Sequence, residues 1–282
     1  MGVLRIFFFC ILGFSLSVRG WAQEVNPERP SKIVSINLCT DELLLQLVEP
    51  ERVAAVSPYA DNPKISTVAD KAKNIRKIQG SVEGVLSCQP DLLLGGTFSP
   101  RETLHFFQYS DIPVLIFGIP KGFSDIYADI RKLARATGNA DQGERMIEKM
   151  KGQLDSCVSK ALQKKRAVFF QSGNYVPGAE TFENAIMEAA GLENVAATLG
   201  IHGYGTLSLE KLSELKPEIL IFSNDQTQAP TVRGEVLSHP IIRKAMPNVK
   251  AVTLPAALLN CGSPASVRAV ELLVQETSGS KC

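Results

Sequence analysis

The sequence predicts an α/β protein made of two Rossmann-like lobes, each with a central, mostly parallel sheet. A single long helix is expected to join the lobes. Two observations support this prediction. Short apolar runs rich in β-branched residues alternate with segments of helical period, and one helix–strand motif occurs in each half of the chain.

The first half alternates strands and helices from residue 32 onward. The run at 32–38 is β-branched, and Thr40 then opens a helical pattern that continues through Leu47. Pro90 ends a later short helix, because proline disfavours helical backbone in the residue before it. We expect strands at 32–38, 53–56, 91–95 and 113–118, and helices at 40–47, 81–88 and 99–109.

A pair of helices follows, and then the pattern starts again. The helical stripe at 126–137 ends at Gly138-Asn139, and Asp141 can cap a second helix at 141–163. After a basic break at 164–166, a strand at 167–171 and a helix at 182–190 begin the second half. The predicted domains are therefore an N-terminal lobe at 23–140, a backbone helix at 141–163 and a C-terminal lobe at 164–282.

The same motif appears once in each half. Ser81-Val82-Glu83, a proline at 90 and the run at 91–94 match Ser208-Leu209-Glu210, a proline at 217 and the run at 218–221. A Ser-x-Glu helix start is a common cap when it stands alone. Its recurrence together with the proline and the buried strand predicts an internal repeat with one copy in each lobe.

The N-terminus has the pattern of a cleavable secretory signal peptide. A short basic start at 1–5 precedes an apolar run at 6–18, and Gly20 and Ala22 suit cleavage after residue 22. The run is shorter than the roughly 20 residues that a membrane-spanning helix needs. Phenylalanines rather than small residues precede Cys10, which disfavours a lipid anchor there. We expect a periplasmic protein, with a retained N-terminal anchor as the alternative.

Composition excludes several classes of protein. The formal net charge is +1, with no basic stretch that would indicate nucleic-acid binding. Five cysteines follow residue 22, and this odd number allows two disulfides at most. The protein is therefore not one of the small folds that disulfides hold together. Three histidines are scattered along the chain, so no metal cage of several converging histidines is predicted.

No enzyme motif occurs in the sequence, and we expect neither catalysis nor a cofactor. It lacks a Gly-x-Ser-x-Gly elbow, a phosphate loop, a His-Glu-x-x-His helix and a dinucleotide fingerprint. The alternatives are an exported thiol-redox protein using Cys39 and Cys261, or a ligand sensor that takes no part in transport. Both cysteines are expected to follow a strand and precede a helix, where a disulfide or packed thiols are favoured over metal ligation.

Loops at the carboxyl ends of parallel strands are where α/β lobes place their ligand contacts. A bulky ligand needs aromatic and apolar surfaces with a few polar anchors. The predicted ligand-binding residues are Cys39, Tyr59, Phe98, Tyr175, His202, Tyr204 and Cys261. Tyr59 and His202 could also clamp an iron centre, although a solvated loop histidine is the more common situation.

The two Ser-x-Glu motifs and the single interlobe helix resemble those of class III periplasmic binding proteins, across essentially the whole chain after residue 22. That family captures ferric siderophores, haem and cobalamin for ABC importers. The resemblance implies a ligand cleft between the two lobes and a metal chelate as its ligand. It also implies docking of Glu83 and Glu210 to the permease of a permease–ATPase complex. We expect a monomer, and the charge balance described above predicts that it binds no nucleic acid.

The stretch at 56–63 is most similar to that of cobalamin-binding members, in which its tyrosine, here Tyr59, lines the cleft. Two tryptophans that hold the corrin ring in those relatives fall at Ile78 and Tyr204 of this sequence. This sequence therefore lacks an aromatic side chain at the first of these positions, Ile78, and has a tyrosine in place of the tryptophan at the second, Tyr204. The resemblance leaves the chelate open among ferric siderophores, corrinoids and haem.

Overall fold

The computed structural model describes residues 29–158, 164–224, 231–279 and Cys282. The predicted signal peptide at 1–22 lies outside these residues. Within them, none of the helices combines the length and the apolar character needed to cross a bilayer.

The first sheet contains four parallel strands, and its central strands β1 and β3 are buried because helices cover both faces. The strands are β1 Ile33–Ser35, β2 Val53–Ala55, β3 Leu92–Gly96 and β4 Val114–Phe117. Their order is β2-β1-β3-β4, with Ile33 pairing both Val53 and Leu92. All five residues of β3 are buried, as expected for a leucine-rich central strand.

The second sheet repeats this topology. Its strands are β5 Lys165–Phe169, β7 Leu192–Asn194, β9 Ile219–Asn224 and β10 Lys250–Pro255. They are parallel in the order β10-β9-β5-β7, which is the order of the first sheet when β5, β7, β9 and β10 are matched to β1, β2, β3 and β4. A separate antiparallel pair, β6 Tyr175–Pro177 and β8 Tyr204–Thr206, adjoins this sheet.

Helices connect the strands in both halves. Those of the first half are α1 Leu38–Leu47, α2 Ala69–Ala72, α3 Val82–Leu86, α4 Arg101–Gln108 and α5 Phe123–Ala136. The remaining helices are α6 Ala140–Val158, α7 Phe182–Ala189, α8 Val195–Thr198, α9 Leu209–Leu215, α10 Val232–Ser238, α11 Pro240–Ala245 and α12 Val267–Ser278. We refer to β1–β4 with α1–α5 as the first lobe, and to β5–β10 with α7–α12 as the second lobe.

The predicted repeat has the same local structure in both lobes. The Ser81 hydroxyl accepts a hydrogen bond from the amide of Gly84, and the Ser208 hydroxyl accepts one from the amide of Lys211. Helices α3 and α9 therefore begin with equivalent N-caps. Each leads into the buried strand that follows it, β3 or β9.

Helix α6 connects the lobes and packs against α5 of the first lobe and α12 of the second. Its buried side is formed by Gly143, Ile147, Met150 and Cys157. Residues 159–163, the predicted end of this helix, lie outside the described residues. The division into lobes at 23–140 and 164–282, with a backbone helix at 141–163, stays a prediction.

The predicted basic break at 164–166 is wrong, because Lys165 and Arg166 belong to β5. The Lys165 ammonium donates to the carbonyl of Thr277, 2.7 Å away, and the Arg166 guanidinium donates to that of Leu215 at 2.8 Å. Both carbonyls are at helix C-termini, which favour positive charge. Both residues can belong to a strand because their long side chains place the ammonium and guanidinium groups at those helix ends.

One hydrophobic core runs continuously through both lobes. It includes Ile33 and Phe117 of the first sheet and Phe169 and Ile221 of the second, all of them buried. The two lobes therefore share buried apolar surface in addition to the connection through α6.

Candidate functional site

A cavity of about 310 Å³ lies between the lobes, at the carboxyl ends of both sheets. We call it the cleft. The first lobe contributes residues from the start of α1, from the loops after β3 and β4, and from α5. The second lobe contributes the start of α7, Tyr204 and the loop after β10. Its wall includes Cys39, Phe98, Ile119, Asp129, Phe182, Glu183, Tyr204 and Cys261.

A disulfide between Cys39 and Cys261 joins the lobes in the wall of the cleft. Cys39 is in the first turn of α1, which begins two residues earlier than predicted because the Asn37 carboxamide oxygen accepts a hydrogen bond from the Cys39 amide at 2.9 Å. The same cap ends the predicted strand early, so that β1 stops at Ser35.

Gly262 allows the lobes to approach closely beside this disulfide. A Cβ atom added to Gly262 would lie 2.2 Å from Cγ of Pro120 and 3.1 Å from Cγ1 of Ile126, both in the first lobe. Any larger side chain would therefore force the two loops apart.

Other contacts between the lobes surround the cleft. The Lys121 ammonium lies 2.7 Å from a carboxylate oxygen of Glu180. The rings of Phe123 and Phe182 meet edge to face, with centroids 5.5 Å apart. Together with the disulfide, these contacts tie the lobes at several points.

Apolar side chains dominate the surface of the cleft. Phe98, in the loop after β3, is 81% exposed, and Ile119, after β4, is 58% exposed. Phe117, Phe182 and Leu259 extend the apolar surface inward. Exposed aromatic side chains around a cavity are typical of sites that cover a large apolar ligand.

Tyr204 and Glu183 form the main polar group of the cleft. The Tyr204 hydroxyl donates to the Glu183 carboxylate, with distances of 3.0 and 2.9 Å to its two oxygens. The Gln171 amide also donates to Glu183, at 3.1 Å. Burial raises the pKa of Glu183, and burial followed by the adjacent carboxylate raises the pKa of Tyr204 well above its usual range. Tyr204 is thus held as a neutral phenol.

Asp129 of α5 faces the same cavity. Partial burial raises its pKa to about 6, although the nearby Lys132 ammonium acts in the opposite direction. No donor among the described residues hydrogen bonds to its carboxylate. The cleft therefore holds one carboxyl from each lobe.

The structure places four of the predicted ligand-binding residues in the wall of the cleft: Cys39, Phe98, Tyr204 and Cys261. Tyr59, Tyr175 and His202 are exposed and do not line it. The His202 imidazole instead lies 3.7 Å from Glu180. In the part of the chain that the structure describes, no cluster of three or more His, Cys, Asp or Glu side chains could hold a metal ion.

The loop that carries Tyr59 is fixed by a buried carboxyl. Asp41 accepts hydrogen bonds from the amide and the hydroxyl of Ser57, the latter at 2.5 Å. Burial raises the pKa of Asp41 to about 7, despite the opposing effect of the Ser35 and Ser57 hydrogen bonds.

Comparison with known proteins identifies the family. The sequence profile of the family described as periplasmic binding protein matches residues 33–257. The chain belongs to this family. The binding protein is 24% identical over 216 residues to an uncharacterized ABC transporter substrate-binding lipoprotein of Bacillus subtilis, covering 73% of this chain and 67% of that protein.

Two further relatives differ in what their names say they bind. A cobalamin-binding protein of Halobacterium salinarum is 23% identical over 234 residues, covering 79% of this chain and 63% of its own length. The haem-binding protein RhuT of Roseiflexus sp. RS-1 superposes with a TM-score of 0.72 at 24% identity, covering 87% of this chain and 98% of that structure. The latter match establishes the shared fold.

The sequence reasoning missed several residues of the binding protein's cleft. Gly118, Ile119 and Pro120 follow a correctly predicted strand, so the strand-end rule could have found them. Asp129 and Glu183 lie on helices, and no motif in the sequence distinguishes them from other helical acids.

Proposed function

We propose that this protein is the capture component of an ABC importer for a bulky metal chelate, such as a ferric siderophore, a corrinoid or haem. The observation that carries the proposal is the apolar cleft between two tied lobes, with Phe98 and Ile119 exposed at its edge. Such a surface suits a large flat ligand, which would cover the apolar side chains that are otherwise exposed to water. Relatives named for ABC transport, cobalamin binding and iron uptake support the proposal.

Within the cleft, we propose that Phe98, Tyr204 and the Cys39–Cys261 disulfide contact the ligand. Tyr59, Tyr175 and His202 would contact only the parts of a large chelate that extend beyond the cavity. The lobes are already tied, so affinity would come from a largely preformed site rather than from extensive closure.

The protein acts by binding and not by catalysis. The two cysteines of the cleft are joined to each other, so neither is free as a nucleophile. Tyr204 is a neutral phenol whose proton is directed at Glu183. A thiol-redox protein would also contain this disulfide as the oxidised form of its thiol pair, so the apolar cleft and the named relatives are what support a binding protein over that alternative.

Absorbance spectroscopy and native mass spectrometry of protein purified from the periplasm of its own cells test the proposal. Corrinoids, haem and ferric siderophores have different spectra, and a capture protein retains one of them stoichiometrically. Protein that binds none of these chelates, when they are supplied to the folded chain, would contradict the proposal.

We further propose that Glu83 and Glu210 dock to the permease of the transporter complex. Both side chains are exposed in the first turns of α3 and α9, whose N-caps are equivalent. The start of each helix lies near the carboxyl end of its sheet. Gly80, which precedes α3, adjoins Ile36 after β1. The amide of Leu207, which precedes α9, donates to the carbonyl of Asn174 after β5. One acid per lobe would thus be presented on the cleft side.

Charge reversal tests the docking proposal. Glu83→Lys and Glu210→Lys should abolish uptake in vesicles that contain the transporter, with ligand affinity unchanged. Glu214→Lys, on the exposed surface of the same helix as Glu210, is the matched control and should transport normally. Normal uptake by the double reversal variant would instead favour a sensor that has no permease partner.

Export by a signal peptide at 1–22 is the remaining part of the proposal. Amino-terminal sequencing of the periplasmic protein should give Gln23 as the first residue. A chain that retains residues 6–18 would contradict cleavage and favour the retained anchor.

A further inference from the structure

The cleft has carboxyl groups but no cationic side chain. Asp129 and Glu183 line it from opposite lobes, and none of its described lining residues is lysine, arginine or histidine. Two lysines next to residues of the cleft have other partners. Lys121 is paired with Glu180, and Lys132 donates to the carbonyl of Ile116 at 2.6 Å while lying over the Phe117 ring. The described wall of the cleft therefore contains acidic groups without a cation, and its formal charge is negative.

Glu183 occupies the position at which an anion could otherwise bind. Helix α7 directs its N-terminus at the cleft, and helix N-termini attract anions. Glu183 is in the first turn of this helix and supplies the negative charge itself. The Tyr204 hydroxyl and the Gln171 amide fix its carboxylate there. An anionic group of a ligand would meet this carboxylate rather than an open helix end.

Asp129 lacks such fixed partners. Its carboxylate faces an apolar cavity, and no described donor hydrogen bonds to it. A ligand with amide or ammonium N–H groups could provide the missing donor. A ligand carboxylate in the same place would face a like charge in surroundings of low dielectric, where repulsion is stronger than in water.

We propose that Asp129 and Glu183 make the cleft selective for metal chelates that are neutral or cationic and exclude those that carry negative charge. The inference rests on the proposed capture function and narrows the class of its ligand. The two carboxylates act by rejecting anionic chelates and by accepting hydrogen bonds from N–H donors of the chelate that binds.

Two matched pairs of chelates test this selectivity by calorimetric titration. One pair is haemin and its dimethyl ester, which differ only in whether the two propionates are free. The other is cyanocobalamin and its monocarboxylic acid, which differ in a single side-chain amide. Wild-type protein, Asp129→Asn, Glu183→Gln and the control Glu148→Gln, an exposed acid of α6 outside the cleft, would be compared.

In the pair that binds, we expect the wild type to favour the uncharged member by roughly tenfold or more, as expected for one unscreened like-charge contact. Asp129→Asn and Glu183→Gln should each reduce this ratio by raising the affinity for the acid. Glu148→Gln should leave it unchanged. Added salt should reduce the wild-type ratio, because it screens charge.

The possible failures are distinguishable. Equal affinity for acid and uncharged chelate, or a ratio that neither substitution changes, overturns the selectivity and leaves the capture function intact. If the folded wild type binds none of the four chelates and no ferrioxamine B, the capture function fails, and the selectivity fails with it. Melting curves show whether Glu183→Gln is folded, and Asp129→Asn gives an independent result that does not disturb the Tyr204 hydrogen bond.

Discussion

Cys39 and Cys261 are on opposite lobes, with Cα atoms 5.1 Å apart, and the disulfide between them forms part of the cleft wall. They are separated by 222 residues of sequence. The cleft is therefore bounded by a covalent link, and its width is not set by α6 alone.

Replacing both cysteines with serine should destabilise the protein by roughly 2–5 kcal/mol, because the unfolded chain is no longer constrained. The free energy of unfolding from urea titration measures this loss. Cys88→Ser is the control, since Cys88 is in no disulfide of the described structure and its loss should have little effect. Equal urea midpoints for the double variant and the wild type would show that the disulfide does not stabilise the fold.

Gly262→Ala should destabilise the protein by roughly 1–3 kcal/mol, because its methyl group would overlap Pro120 of the other lobe. Gly152→Ala is a matched substitution in the interior of α6, where an added Cβ meets nothing within 4 Å. That control should stabilise the helix by about 0.5–1 kcal/mol. Melting temperatures that change in the same direction for both variants would contradict the close approach at Gly262.

Phe98→Ala should lower chelate affinity by roughly tenfold or more, because a large apolar contact is lost. Tyr109→Ala is the matched control, because the Tyr109 side chain is equally exposed, at 81%, but does not line the cleft. Neither change should alter the melting temperature appreciably, since both side chains are exposed. If the two variants bind equally well, Phe98 is not a ligand contact.

The buried Asp41 should make stability depend on pH. Its pKa is raised to about 7 in the folded protein, against an ordinary value of 3.8. Between these values the folded state retains a proton that the unfolded chain has released. The contribution of Asp41 to stability therefore falls as the pH rises, by up to about 1.4 kcal/mol per pH unit.

Asp41→Asn should remove this part of the pH dependence, so that the variant gains stability relative to the wild type between pH 5 and pH 8. Urea titrations at the two pH values measure the difference. Glu148→Gln, at an exposed position, should preserve the wild-type dependence. Parallel pH profiles for the wild type and Asp41→Asn would indicate that Asp41 has an ordinary pKa.

Much of the fold could be predicted because it depends on local patterns. The β-branched and leucine-rich runs predicted the central strands, and the Ser-x-Glu motif predicted the matching capped helices α3 and α9. Element ends were less accurate. Asn37 ends β1 early by capping α1, a local signal that the strand prediction at 32–38 overlooked. Lys165 belongs to β5 and reaches a helix end 112 residues away, and that contact has no local signal in the sequence.

The site could be predicted only where strand ends determine it. Cys39, Phe98 and Cys261 follow strands, and the topology directs them into the cleft. Asp129 and Glu183 reach it through the packing of α5 and α7 across the lobe boundary, where Phe123 meets Phe182. Such helix packing depends on contacts far apart in sequence, so these carboxyls could not be identified from local patterns.

The disulfide pairing also constrains how the chain matures. The native pairs are Cys39–Cys261 and Cys157–Cys282, and the two loops overlap. A ribosome releases Cys39 and Cys88 long before Cys261, so pairing in order of appearance would join the wrong thiols. Correct pairing requires either delayed oxidation or thiol–disulfide exchange after the second lobe is complete. Production of the native protein thus depends on when the thiols are oxidised, or on how readily wrong pairs can exchange.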